Sequence, residues 1–180
     1  MKSLSLAAAA FALAVVIPAV ATGGTTLFDT TFAKLGSPCF ERTYDAAHLK
    51  AHPHQTVSGI SLEYSATNDD GTPNKPDAFE LSLSFHLKPA DGWFSGPATC
   101  KTVGDHFACA LDGDEGQFTV TPQAGALKFT VVNRGGTDSK EDQIHLEGGD
   151  SSASFGKPSG DDLVFVLPKV ASSVCQGGGY

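Results

Sequence analysis

The sequence predicts one all-β domain, an antiparallel sandwich or small barrel with one short helix and two disulfides. Three observations carry that prediction. Apolar residues recur at every second position through much of the chain, the period of a half-buried strand rather than of a helix. Glycine and proline are frequent, 20 and 10 of 180 residues, and they cluster between the alternating runs, as a chain with many tight turns requires. All four cysteines follow an apolar leader, the even count expected of an exported, disulfide-stapled domain.

The leader is read first. Lys2, the apolar run from Leu4 to Val20 and the small residues Ala19-Val20-Ala21 predict a signal peptide over residues 1–21, cleaved after Ala21. Residues 22–180 are then long enough for a single domain with its own core, and the Gly-rich end, 176–180, is expected to be a flexible tail. No later apolar run approaches the roughly 18 residues of a membrane span, so none is expected after cleavage. The net charge is −8, with the acids dispersed. Nucleic acid and anionic membrane both require a basic footprint and are therefore excluded as expected partners.

The elements follow in chain order. Residues 39–44 form a weak strand. Asp45 is placed to cap a helix over Ala46–Ala51, and Pro53 stops it. Ile60, Leu62 and Tyr64 alternate with Ser61, Glu63 and Ser65. Phe79, Leu81, Leu83, Phe85 and Leu87 make the clearest strand, alternating with Glu80, Ser82, Ser84, His86 and Lys88. Phe118 with Val120, and Leu127 with Phe129 and Val131, read as a hairpin. A four-residue turn, Pro122-Gln123-Ala124-Gly125, would set Val120 opposite Leu127 and Phe118 opposite Phe129. Ile144 with Leu146, and Leu163 with Phe165 and Leu167, add two more strands. Residues 68–77, 89–97, 135–142 and 148–162 are expected to be loops. Eight or nine strands with one apolar face suit a sandwich or a closed barrel, and alternation alone does not choose between them.

Turn chemistry pairs the cysteines. Gly104-Asp105 suits a two-residue type II′ turn, with glycine first. That turn sets Val103 opposite His106, Thr102 opposite Phe107, Lys101 opposite Ala108 and Cys100 opposite Cys109. The two cysteines then form a non-hydrogen-bonded pair with Cα atoms about 4.5 Å apart, within disulfide range. By elimination Cys39 joins Cys175. No pair has the C-x-x-C spacing of a redox or zinc site.

Four places carry side chains with chemistry. His48, His52 and His54 fall within seven residues, and His48 and His52 share a helical face at the spacing that two imidazoles use for zinc or copper. The glutamate of H-E-x-x-H is absent, and a solvated helix end favouring cationic side chains explains the cluster equally. Asp112-Gly113-Asp114-Glu115-Gly116 offers carboxylates to calcium, but glycine falls at a ligand position of the EF-hand pattern, so an Asp-Gly turn is the plainer account of Asp112 and Asp114. Trp93 and Phe94, in a glycine-flanked loop, form either a ligand platform or a plug over the β core. Arg42 and Asp45 flank Tyr44 at the strand-to-helix corner, where Arg42 is expected to pair with a carboxylate and hold the corner. Nucleophile-elbow, P-loop and dinucleotide signatures are missing.

The segment Cys39-Phe40-Glu41-Arg42-Thr43-Tyr44-Asp45-Ala46-Ala47-His48-Leu49-Lys50-Ala51-His52-Pro53-His54-Gln55-Thr56-Val57 resembles one found near the start of small, uncharacterised exported bacterial proteins. The likeness follows the pattern C-x-x-R-x-Y-D-x-x-H-L-x-x-H-P-x-Q-x-V and covers about a tenth of the chain, with a looser likeness over residues 100–118 and at the last cysteine. It implies export and a cysteine framework, and it brings no activity. The expected function is therefore a non-catalytic binding or structural module, periplasmic or secreted, whose partner is a small molecule or an envelope protein. The alternatives are a metal-dependent or hydrolytic envelope enzyme and an envelope inhibitor or structural protein.

Overall fold

The computed structural model describes residues 26–68, 70–89, 92–132, 143–148 and 151–175. The leader, the 176–180 tail and the expected 135–142 loop lie outside the described residues. Among them ten strands form: β1 (Cys39–Thr43), β2 (Val57–Tyr64), β3 (Phe79–Leu87), β4 (Phe94–Val103), β5 (His106–Ala110), β6 (Gln117–Gln123), β7 (Ala126–Val131), β8 (Ile144–Gly148), β9 (Ser151–Phe155) and β10 (Val164–Val170). β1 to β7 run as an antiparallel meander, and β10 pairs with both β7 and β1 to close an eight-stranded barrel. The barrel resolves the choice that alternation left open. β8 and β9 form a separate hairpin between β7 and β10.

The closing seam is short. β1 meets β10 only at Cys39↔Val170 and Phe40↔Lys169, whereas β10 meets β7 over five pairs. The Lys169 N–H donates to Gly125 O at 3.0 Å, so by alternation the nitrogen of Pro168 faces β1 and has no hydrogen to give. A proline there ends the ladder at its edge. The Cys39–Cys175 disulfide, with Cα atoms 6.0 Å apart, joins the two sides at this seam.

The β4–β5 hairpin has the expected register, Val103↔His106 through Cys100↔Cys109, around Gly104 at φ +61°. The Cys100–Cys109 disulfide spans Cα atoms 4.1 Å apart. The β6–β7 hairpin differs from expectation by two residues. Its turn is Ala124-Gly125, with Gln123↔Ala126, Val120↔Phe129 and Phe118↔Val131. Gly125 at φ +72° permits the tighter turn. Pro122 is tolerated inside β6 because the pairing of β5 with β6 begins only at Phe107↔Val120, so no neighbour awaits a hydrogen bond from its nitrogen. A two-residue slip keeps every side chain on its face, and Phe118 and Phe129 still stack as diagonal neighbours at 4.6 Å.

Two expected loops hold strands: Phe94 to Pro97 open β4, and Ser151–Phe155 is β9. β9 carries only the short alternation of Ala153 and Phe155 among serines, and it forms by pairing with β8 and burying those two residues. The expected helix is α2 (Ala46–Ala51), with the Asp45 carboxylate accepting from His48 N–H at 2.7 Å. A five-residue helix, α1 (Leu27–Thr31), precedes β1 and starts on a capping box between Thr26 and Asp29.

The interior is filled from both ends. At the α1 end Phe32 stacks on Tyr64 at 5.2 Å and lies 5.1 Å from Phe107, and Phe28 lies 5.0 Å from Phe79. At the hairpin end Phe155 reaches Phe85 at 4.8 Å, Phe165 at 5.8 Å and Phe129 at 6.2 Å. Gly96 admits Leu146 of β8, since a Cβ there would stand 2.7 Å from its Cδ2. Between the two plugs lie Ile60, Leu62, Leu81 and Leu83, all essentially unexposed. The core is made of side chains, as in small barrels generally.

Candidate functional site

The polar side chains with chemical potential gather at the hairpin end, in four neighbouring clusters. The first is a latch beside a cavity. Asp162, 3 % exposed, lies just before β10. Its Oδ2 accepts from Thr56 N–H at 2.7 Å and Thr56 Oγ1 at 2.6 Å, and its Oδ1 from Val57 N–H at 3.2 Å. Three donors satisfy this buried carboxylate and tie the entry of β10 to the start of β2. The latch borders a cavity of about 420 Å³ between the α2–β2 connection, the end of β3 and the exit of β9. His54 lines it together with Leu87, Lys88, Phe155 and Lys157.

The second cluster is built on a bulge. The β2–β3 register slips between Val57 and Gly59, which leaves Ser58 unpaired and turns its hydroxyl to His86 Nδ1 at 2.5 Å. Bulges re-aim side chains in this way. The same hydroxyl donates to the His86 carbonyl at 3.2 Å, so towards Nδ1 it acts as donor or acceptor according to the ring tautomer. Trp93 lies 6.0 Å from the imidazole and rests on Gly59, where a Cβ would stand 2.7 Å from Cη2 of the indole. Phe94 is 8 % exposed and stacks on Phe85 inside the barrel. Trp93 and Phe94 therefore do not form one platform: the strand begins at Phe94 and divides them between outer face and core. Among the described residues no carboxylate bonds the His86 ring, so Ser58 and His86 lack the third group that orients a catalytic base.

The third cluster is a stacked column at the β1–α2 corner. The Arg42 guanidinium lies 5.4 Å over the Tyr44 ring, Tyr44 stacks on His48 at 4.5 Å, and His48 stacks on His52 at 4.4 Å. Arg42 thus meets an aromatic face rather than the expected carboxylate. Asp45, the near acid, is already engaged as the α2 cap. Burial raises the Tyr44 hydroxyl above its ordinary range, against the lowering effect of Arg42. The Gln55 amide nitrogen donates to Val57 O at 2.7 Å, so its oxygen faces His48 Nε2 at 3.0 Å, which carries the proton. Parallel rings aim their in-plane lone pairs along parallel planes, whereas a shared metal needs them to converge. His48 and His52 are together but stacked, and His54 lies apart on the cavity wall.

The fourth cluster is an acidic cleft of about 390 Å³, where Asp112, Asp114 and Glu115 face His145 and Glu147 of β8. The Glu115 carbonyl accepts from His145 N–H at 2.8 Å. Gly116, at φ +108°, lets the loop approach, since a Cβ there would stand 2.2 Å from Gln143 O. Burial and the surrounding acids raise the Glu115 carboxyl above its ordinary value, and His145 opposes them. Among the described residues the only set of three potential ligand atoms within reach of one ion is Cys39, Glu41 and Cys175, and those two sulfurs are joined as a disulfide.

Sequence reasoning missed the Ser58–His86 pair, the lysines of the cavity and the contribution of β8 to the acidic cleft. Gly59 inside a strand pattern is the one local signal that pointed to a bulge or a close approach. The others depend on contacts between residues far apart in the chain. Set against known proteins, the chain matches no family model, no curated protein and no solved structure.

Proposed function

We propose that this chain is an exported, non-catalytic binding module that meets its ligand at the hairpin end, on the rim of the barrel. The observation that carries this reading is the filled interior: Phe85, Phe129, Phe155 and Phe165 pack edge and face against one another where an open barrel would hold a ligand. In this reading binding falls on the surface, and two of its cavities and the polar clusters lie together at one end. Two disulfides fit an oxidising compartment, and the leader and the resemblance of residues 39–57 support export. Among the described residues no helix is long and apolar enough to cross a membrane. Native mass spectrometry of protein isolated from its own compartment tests the reading. A co-purifying molecule released by denaturation is expected, and a bare chain that turns over ester or peptide substrates overturns the proposal.

The Ser58–His86 contact favours a second reading, a hydrolase with Ser58 as nucleophile. Labelling by a fluorophosphonate that is lost in Ser58→Ala would support it. No labelling is expected, because the Ser58 hydroxyl donates to the His86 carbonyl and no carboxylate among the described residues orients the imidazole.

A further inference from the structure

We propose that the 420 Å³ rim cavity is a site for a small organic anion, a carboxylate or a phosphate monoester with a short apolar body. The inference rests on the binding-module reading and names its ligand class.

Charge is the first argument. The chain carries 20 acids against 12 lysines and arginines, so its surface hollows meet acids more often than bases, as in the acidic cleft. The rim cavity is lined by Lys88 and Lys157, and neither ammonium has an ion-pair or hydrogen-bond partner among the described residues. His54 adds positive charge when protonated. The one carboxylate in the lining, Asp162, has its charge spent on three donors within its own wall. The uncommitted charge facing the cavity is therefore positive.

Shape is the second. Leu87 and Pro53 give the lining an apolar part beside the two lysines, which suits a molecule with one charged and one apolar end. The volume falls in the lower part of the ~300–1,000 Å³ range of small-molecule sites.

Anchoring is the third. Lys88 N–H donates to Thr56 O at 2.9 Å, and Gly160 N–H donates to Lys157 O at 2.9 Å, so both lysine backbones are held by the strands and turns around the cavity. Gly156, at φ +94°, brings the exit of β9 onto β7, since a Cβ there would stand 2.9 Å from Val131 Cγ1. Long lysine stems then bring mobile ammoniums to a fixed rim, where they act as point charges for carboxylate or phosphate oxygens.

The test is a titration of ¹⁵N-labelled full-length protein with benzoate, phenyl phosphate and the neutral isostere benzamide, followed by amide chemical shifts. Saturable shifts at Leu87, Lys88, Gly156 and Lys157 are expected with at least one anion, and the ratio of the two affinities tells carboxylate from phosphate. Lys88→Gln and Lys157→Gln, both at exposed positions, are each expected to weaken that binding by about threefold to tenfold. Lys128→Gln, which lies outside the cavity, is expected to leave it unchanged. Equal binding of benzamide, indifference to both cavity substitutions, or no saturable shift with either anion overturns the proposal. If a co-purifying molecule is still found by native mass spectrometry in that case, the anion site falls and the binding-module reading stands. If neither is found, both fall.

Discussion

Truncating Phe155 to alanine tests whether the β8–β9 hairpin is what fills the hairpin end of the barrel. The ring is 1 % exposed and touches aromatic neighbours on three different strands: Phe85 on β3, Phe129 on β7 and Phe165 on β10. Removing a buried phenyl ring costs about 3–5 kcal/mol, and the cost is highest where the surroundings cannot collapse into the hole. Three rings fixed on separate strands of a closed barrel cannot all move inward, so a loss of about 4 kcal/mol is expected. For a domain of this size about 1 kcal/mol shifts Tm by roughly 2–4 °C, so Phe155→Ala should melt on the order of 10 °C lower. Chemical denaturation followed by the fluorescence of Trp93, the one tryptophan in the chain, measures the loss. The apolar hole left behind should also bind benzene and regain part of the stability by mass action. Val164→Ala, at a position 51 % exposed, serves as the control and should change stability by about 0.5 kcal/mol or less. A loss under about 1 kcal/mol for Phe155→Ala, with no response to benzene, would refute the plug and with it the argument that the interior is unavailable to a ligand.

Two further outcomes follow from the same structure. The disulfides enclose 136 and 9 positions, for which the chain-entropy relation gives about 5 and about 2.6 kcal/mol. The Cys39→Ser/Cys175→Ser variant should therefore lose more stability by denaturant titration than Cys100→Ser/Cys109→Ser, and the reverse order would show that seam closure does not depend on the longer bridge. Glu115→Gln should stabilise the protein near pH 7, because burial and the neighbouring acids raise the native carboxyl above its ordinary value of 4.5. The sign follows from proton linkage. Below 4.5 folded and unfolded chains both hold the proton and no penalty exists. As pH rises past 4.5 the unfolded chain releases it first, stability falls, and the penalty becomes constant once the folded carboxyl also ionises. The advantage of the glutamine variant in Tm should thus vanish below about pH 4, and an advantage independent of pH would point to another cause.

The strands β2, β3, β7 and β10, the α2 cap and the Cys100–Cys109 pair were legible because each is decided within a dozen residues. Alternation marks a strand wherever one face is buried, a carboxylate three residues ahead of an amide caps a helix, and Gly104-Asp105 sets the register of its own hairpin. By elimination among four cysteines, that hairpin also placed Cys39 against Cys175. The β6–β7 register escaped the same reasoning because Pro122 reads as a turn residue, and only the start of the β5–β6 pairing at Phe107↔Val120 shows that a strand can accommodate it.

What the amino-acid order determined by itself was the inventory: which residues alternate, where the chain turns, which cysteines can meet and which side chains carry charge. Tertiary structure alone decided that β10 closes a barrel against β1, that β8–β9 and α1 fill its two ends, and that Ser58 meets His86. It also decided that Lys88 and Lys157 share a cavity, while Trp93 and Phe94 part company. The physical reason is range. Periodicity and turn chemistry act along the chain, whereas a cavity or a seam is fixed by packing between segments such as residues 54–57 and 156–162, whose meeting depends on the whole barrel having closed.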